Sequence, residues 1–258
     1  MTKENFTAIA VIADASSSMT GLTNETIANF NKFLNEQKAI PGEAAFSLCT
    51  FNTDYRLVHD FIPLQSVEEL TNKTYRCSGC TALLDAMGTT IDSLGSKLAA
   101  MPEQDRPSKV VVLVITDGEE NSSQRYTLEQ IKDKVTHQRE VYSWEFVFIG
   151  ANIDAITAGT SMGFTAQNSV AYVASAAGTN QLYRSISSNM SSMRRGLTAS
   201  NGDFFAQTGV TPTTGVQGSA QGSINIAPVV PATPQTNIGS TTAGDFDPGH
   251  ALPTNNNK

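Results

Sequence analysis

Cysteine and positive charge are both scarce in this sequence. The 258 residues include 3 cysteines, an odd number that is too small for a disulfide scaffold and that predicts a reducing compartment. Lys and Arg total 17 against 24 Asp and Glu, which gives a net charge of -7. A nucleic-acid binder needs a basic face to meet phosphates, and the basic residues show no clustering beyond Arg194-Arg195. We therefore expect no nucleic-acid partner.

Long apolar runs are also missing. No run approaches the roughly 20 residues that span a bilayer. The N-terminal stretch, residues 1–5, lacks the charged and then apolar layout of a secretory signal. These two features predict a cytoplasmic protein with no membrane contact. Apolar residues nevertheless make up 40% of the chain, which is enough to form a globular core.

Apolar runs alternate with amphipathic stretches from residue 7 to residue 196. This alternation is typical of βαβ units, and it predicts an α/β fold with a doubly wound, mostly parallel sheet covered by helices on both faces. One antiparallel edge strand is expected at 56–62, joined to its predecessor as a hairpin. The run 109–116 is apolar on both faces and predicts a central strand. The other strands are predicted at 7–14, 45–51, 144–149 and 170–173, and the helices near Asn24, Leu84, Thr127, Asp154 and Thr179.

The composition changes after residue 206. Residues 207–258 are rich in Gly, Thr, Pro, Asn and Gln and carry little charge. This predicts a folded domain at 1–206 and a low-complexity tail at 207–258. We expect the tail of the isolated protein to be disordered, with the alternative that it is an arm that orders against a partner or a second subunit.

Three fragments carry oxygen-bearing side chains where apolar strands or loops end. Asp14-x-Ser16-x-Ser18 follows the first strand, Thr81 precedes a predicted helix, and Asp117 follows the central strand. In a doubly wound sheet of order 3-2-1-4-5-6, ligands bind where the winding reverses, beyond the carboxyl ends of strands one and four. We therefore expect Asp14 and Asp117 to flank one crevice, with Thr81 beside it.

These fragments resemble the metal-ion-dependent adhesion site of von Willebrand factor A domains, and the resemblance covers residues 6–193. It implies that Ser16, Ser18 and Thr81 bind Mg²⁺ or Mn²⁺ directly. It also implies that Asp14 and Asp117 act through water or by hydrogen bonding to the hydroxyl ligands. The stretch 146–152 and the residues after it are similar to single-domain bacterial and phage members of the family.

Neutral hydroxyl ligands fill part of the coordination shell of the ion without cancelling its charge. The ion can then accept a carboxylate from outside, so we expect a binding module that takes an Asp or Glu side chain of a protein partner and is not an enzyme. The alternative is a structural protein, such as a phage virion component, that self-assembles through its C-terminal arm. A metal-dependent hydrolase is disfavoured because the sequence shows no Ser-His-Asp or Cys-His arrangement and no phosphate-binding loop.

Cys77 and Cys80 form a C-x-x-C pair just before Thr81. Two thiols alone cannot complete the four-ligand shell of a structural zinc ion. A redox pair is the alternative, because a helix N-terminus lowers the pKa of a nearby thiol. We favour incidental small residues over a redox switch.

Overall fold

A six-stranded sheet organises the chain in the computed structural model. The structure describes residues 2–151, 153–173, 175–196 and 204, and all of them belong to the first of two units, 1–216 and 217–258. The strands are β1 (Lys3–Asp14), β2 (Glu43–Phe51), β3 (Tyr55–Pro63), β4 (Pro107–Thr116), β5 (Glu145–Ala151) and β6 (Ser169–Tyr172). Their order is β3-β2-β1-β4-β5-β6, which is the 3-2-1-4-5-6 arrangement on which the expected crevice depends.

All neighbouring strands run parallel except β2 and β3, which form the predicted antiparallel hairpin at the edge. β4 lies at the centre of the sheet, as its apolar sequence predicted. Its residues from Val110 to Ile115 are all buried. A strand with apolar side chains on both faces is stable only when helices cover both faces of the sheet. The expected fold class is therefore confirmed.

Helices cover both faces and divide the core into two layers. They are α1 (Thr23–Lys38), α2 (Leu83–Ala100), α3 (Leu128–Tyr142), α4 (Ala155–Ser161) and α5 (Ala176–Arg194). Helices α1 and α5 pack with Ile9 and Val11 of β1. Helices α2, α3 and α4 pack with the alternate residues of the same strand, among them Ala10 and Ile12. None of the helices in the described part of the chain is long and apolar enough to cross a membrane.

The sequence prediction was least accurate at the ends of elements. Asn24 is a residue type that favours the N-cap position, but the chain already turns as a short 3-10 helix at Ser17–Leu22, and α1 begins at Thr23. The Thr23 hydroxyl donates back to the carbonyls of Met19 and Thr20 instead of capping. The proposed boundary between the domain, 1–206, and the tail, 207–258, lies outside the described residues and stays a prediction.

Candidate metal centre

The carboxyl ends of β1 and β4 are adjacent, as the strand order requires. Ala13 pairs with Ile115 in the parallel ladder, so Asp14 and Thr116 follow side by side. The Thr116 hydroxyl donates a 2.6 Å hydrogen bond to Asp14 Oδ2. Asp14 is fully buried, and the loops that follow the two strands begin next to each other at this edge of the sheet.

The two serines after β1 form a chain of hydrogen bonds that leads to Asp117. Asp14 Oδ1 accepts the Ser16 amide at 2.7 Å, which turns the backbone away from the strand direction. Ser16 Oγ lies 2.9 Å from Ser18 Oγ. The Ser18 hydroxyl in turn donates to Asp117 Oδ1 at 2.6 Å. The local turn chemistry of Asp14 thus aligns both hydroxyls beside the carboxylate that follows β4.

Thr81 reaches the same point from a third segment. Its amide donates to Asn121 Oδ1 at 2.9 Å, and its carbonyl accepts the Asn121 amide at 3.1 Å. The position of the Thr81 side chain follows from its distance to Gly118. A Cβ on Gly118 would lie 3.4 Å from Thr81 Oγ1 and 3.6 Å from Ser18 Oγ, so both hydroxyl oxygens flank one backbone position.

The loop between β4 and α3 is attached to the start of α2 by two carboxylates, those of Glu120 and Asp85. Glu120 Oε2 accepts the Leu84 amide at 2.9 Å. Asp85 accepts the backbone amides of Gln124, Arg125 and Tyr126 at 2.8–2.9 Å. Asp85 lies in the first turn of α2, where an acidic residue is favourable, whereas no local pattern points to the contact of Glu120 with a helix 36 residues earlier. The loop that carries Asp117 is therefore held against the segment that carries Thr81.

Two residues that contact Asp14 escaped the sequence analysis as members of the site. Thr116 was predicted only as the last residue of the central strand, yet its hydroxyl bonds both Asp14 and the Gly118 carbonyl. The buried Tyr75 donates its hydroxyl to the Asp14 carbonyl. No local pattern around Tyr75 points to this contact, because it joins residues 61 positions apart.

Burial governs the electrostatics of the two acidic residues. Burial raises the pKa of Asp14, and the nearby Asp117 charge adds to that effect, while hydrogen bonds from Thr116 and Ser16 oppose it. Burial likewise raises the pKa of Asp117 against the opposing hydrogen bond from Ser18. Two poorly solvated carboxylates beside one another concentrate negative potential at the crevice.

The donor atoms at this crevice fit a hard divalent cation. Ser16, Ser18, Thr81 and Asp117 offer only oxygen, the ligand type that Mg²⁺ and Mn²⁺ prefer. The described residues contain no group of three or more His, Cys, Asp or Glu side chains that could hold an ion. The strand ends present hydroxyl oxygens beside the Asp117 carboxylate instead.

The cysteines and histidines of the described region belong to no group of three or more side chains that could hold an ion. Cys77 Sγ is 3.3 Å from the Thr23 hydroxyl, whereas Cys80 is exposed, and both are free thiols. His59 lies on the edge strand β3. His137 lies on α3, where its ring packs edge-on against Tyr142.

The fold and the crevice define the class of this protein. It is a doubly wound α/β domain with hydroxyl and carboxylate oxygens at its switch point. The family model of the von Willebrand factor type A domain matches residues 8–200. The chain therefore belongs to this family. Its members generally act as protein-interaction modules rather than as enzymes.

Solved structures show the same fold at low sequence identity. Proximal thread matrix protein 1 from the mussel byssus is 15% identical with a TM-score of 0.50, over 71% of this chain and 46% of that one. The same protein solved with a zinc-occupied MIDAS motif gives 15% identity and a TM-score of 0.50, over 72% and 46%. A von Willebrand factor type A protein from Catenulispora acidiphila gives 13% and 0.46, over 72% and 42%. The chain spans less than half the length of these solved chains, and no curated protein sequence matched it.

Proposed function

We propose that this chain is a divalent-metal-dependent protein-binding module whose partner supplies an Asp or Glu side chain. The observation that carries the proposal is the convergence of Ser18 Oγ, Thr81 Oγ1 and Asp117 around Gly118. Three separate segments contribute these groups, and a chance cluster of turn residues would not be expected to align them.

Each residue has a distinct role in this proposal. Ser16, Ser18 and Thr81 offer hydroxyl oxygens to the ion. Asp117 orients Ser18 through their hydrogen bond, and Asp14 fixes the turn that presents Ser16. A bound Mg²⁺ or Mn²⁺ supplies a positive charge that attracts a carboxylate from the partner. A divalent ion is also supported by the mussel relative whose MIDAS motif holds zinc.

The test is a calorimetric titration of the protein with Mg²⁺ and with Mn²⁺. Thr81→Val removes one hydroxyl and keeps the shape of the side chain. Thr90→Val is the matched control, because Thr90 is a buried threonine of α2 that contacts Cys49 and Tyr55 instead. We expect Thr81→Val to weaken ion binding by at least about tenfold and Thr90→Val to leave the affinity unchanged. If both variants bind the ion as tightly as the wild type, the proposed metal site is wrong.

Capture of proteins from a lysate, with and without a chelator, tests the second half of the proposal. A specific partner should bind the wild type in Mg²⁺ and should be released when the ion is removed. The Thr81→Val variant should not retain it. A partner that stays bound through chelation would show that the interaction does not use the ion.

The assembly hypothesis is separate from this proposal. It depends on the tail, 207–258, which lies outside the described residues, and it stays a prediction together with the cytoplasmic or virion location. Deletion of residues 207–258 tests it. If the truncated protein no longer associates with its partner or with itself, the arm and not the crevice makes the contact.

A further inference from the structure

An apolar cavity of about 380 Å³ opens beside the candidate metal centre. It lies between the start of α2, the loop after β4, the start of α3 and helix α4. Its volume is at the lower end of the range of small-ligand pockets, roughly 300–1,000 Å³. Its large apolar lining residues are Leu83, Leu84, Leu128, Phe148, Ile153 and Met162. We call it the Leu128 cavity, after the leucine that stands at the first position of α3.

The Leu128 cavity and the candidate metal centre share a wall. Gly118 lines the cavity, and the same glycine lies beside Thr81 Oγ1 and Ser18 Oγ. Leu83, which also lines the cavity, follows Thr81 by two residues. A ligand whose carboxylate approaches the hydroxyls would therefore bring its neighbouring groups to the mouth of the cavity.

The charges at the rim determine which ligand fits. Glu119, Glu120 and Asp154 are the acidic residues of the lining. The Glu120 carboxylate already accepts the Leu84, Ser122 and Ser123 amides. Asp154 caps α4 through the Thr157 amide and hydroxyl. This negative rim repels a second carboxylate, whereas the apolar wall suits an uncharged aliphatic or aromatic side chain.

Leu128 gives the cavity an apolar surface that a ligand can cover. Its side chain is 45% exposed although it lines the cavity. Covering this surface and filling the apolar space removes hydrocarbon from water, which is favourable in proportion to the area buried.

We propose that the Leu128 cavity is a second subsite of the binding surface, and that it takes a large aliphatic or aromatic side chain next to the partner's acidic residue. The inference rests on the proposed function, because the same partner segment occupies both sites. The recognised sequence is then an Asp or Glu with a bulky apolar residue one or two positions away. In this proposal any partner must offer an acidic side chain to the metal centre, and the cavity selects among acidic partners by their neighbouring apolar side chain.

Short synthetic peptides test this proposal with the full-length protein. Each peptide contains one Asp, and the residues at one and two positions on either side are set in turn to Ala, Leu, Phe, Lys or Glu. Binding is measured by fluorescence polarisation in Mg²⁺ and in a chelator. We expect the Leu and Phe peptides to bind about tenfold more tightly than the Ala peptide in Mg²⁺, since burial of one such side chain is worth about that factor. The Glu peptides should be the weakest.

Two variants and one control locate the preference. Leu128→Ser removes apolar surface from the rim, and Ala158→Leu fills the cavity from α4. Val141→Ser is the control, because Val141 is 58% exposed at the other end of α3 and outside the cavity. Circular dichroism and thermal melting confirm that each variant folds. Leu128→Ser and Ala158→Leu should abolish the advantage of Leu and Phe peptides without changing the affinity for Mg²⁺, and Val141→Ser should keep it.

The outcomes separate this inference from the function on which it rests. If every Asp peptide binds equally well in Mg²⁺, the second subsite is overturned and the metal-dependent module stands. If apolar peptides bind equally in the chelator, or after Asp→Asn in the peptide, the cavity is an independent site and the proposed coupling is wrong. If no peptide shows Mg²⁺-dependent binding, both the subsite and the function are overturned.

Discussion

The Ser18 hydroxyl donates a 2.6 Å hydrogen bond to the Asp117 carboxylate, joining residues that are 99 positions apart in the chain. Ser18 follows β1 and Asp117 follows β4, so this bond links the two loops on either side of the switch point. Ser18 is exposed at the surface, and its hydrogen bond therefore does more to align the crevice than to hold the fold together.

Ser18→Ala should separate stability from ion binding. In a chelator we expect a loss of about 1 kcal/mol or less in the free energy of unfolding, the usual net value of one hydrogen bond. In millimolar Mg²⁺ the wild type should melt at a higher temperature, because an ion that binds only the native state stabilises it. The variant should show little of this rise. Differential scanning calorimetry in both buffers measures the two effects.

Ser17→Ala is the control for that experiment. Ser17 is the exposed neighbour of Ser18, and the bonds of its backbone to Gly79 and Thr20 do not need its hydroxyl. It should keep the full rise in melting temperature. A rise that persists in Ser18→Ala, or that is also lost in Ser17→Ala, would contradict a specific role of the Ser18 hydroxyl.

The sheet was predictable from the sequence because each strand carries its own signal. The apolar run that forms β4 requires burial on both faces, and the alternation with helices requires parallel neighbours. The helix predicted near Thr127 is α3, whose start is fixed by a capping box of Thr127 and Gln130. The 3-10 turn before α1 was not predicted, because it is anchored by burial of Met19 and Leu22 rather than marked by a local capping residue.

The candidate site was predictable only for residues that belong to a local pattern. Asp14, Ser16 and Ser18 lie at fixed spacing after a strand, and the structure brings them together with Asp117. Asn121 accepts a hydrogen bond from the Thr81 backbone, 40 residues away in the chain, and no sequence pattern around Asn121 predicts that contact. Whether these residues hold an ion stays a prediction for the titrations above.

Gly88 and Gly95 both lie within α2, yet substitution by alanine should change the stability of the protein in opposite directions at the two positions. A Cβ on Gly88 would lie 2.5 Å from the Tyr126 ring, whereas the nearest atom to a Cβ on Gly95 is Gln138 Nε2 at 3.6 Å. Gly95→Ala should stabilise the protein by up to about 1 kcal/mol through helix propensity. Gly88→Ala should destabilise it by about 1–3 kcal/mol because the ring must move. Urea unfolding of the two variants decides the matter, and equal effects would mean that the Tyr126 ring moves away at no cost.

Asp85 should contribute to the loss of stability in acid. Burial acts to raise its pKa, but hydrogen bonds from the amides of Gln124, Arg125 and Tyr126, with the Arg125 charge, lower it below the ordinary value. A carboxylate with a lowered folded-state pKa stabilises the native state above its unfolded pKa, about 3.9. That stability is lost as the pH falls through the folded-state value.

The measurement for Asp85 is the urea midpoint between neutral pH and about pH 3. Asp85→Asn should lower the midpoint at neutral pH, and its difference from the wild type should shrink below about pH 4. Asp133→Asn changes an exposed carboxylate of α3 and should follow the wild-type curve. A constant difference between Asp85→Asn and the wild type at every pH would show that ionisation of Asp85 is not coupled to folding.

Arg194 and Arg195 are adjacent in sequence but differ in environment, and this gives a matched pair of variants. Arg194 is 5% exposed, and its guanidinium donates to the Gln37 carbonyl at 2.5 Å and the Gly42 carbonyl at 3.3 Å, which ties α5 to the end of α1. Arg194→Met should cost about 2 kcal/mol in the free energy of unfolding because the Gln37 and Gly42 carbonyls lose hydrogen bonds from a charged donor. Arg195→Met changes an exposed side chain and should stay within about 0.5 kcal/mol. Chemical denaturation compares the two variants, and equal stabilities would mean that the cost of burying the Arg194 charge cancels its hydrogen bonds.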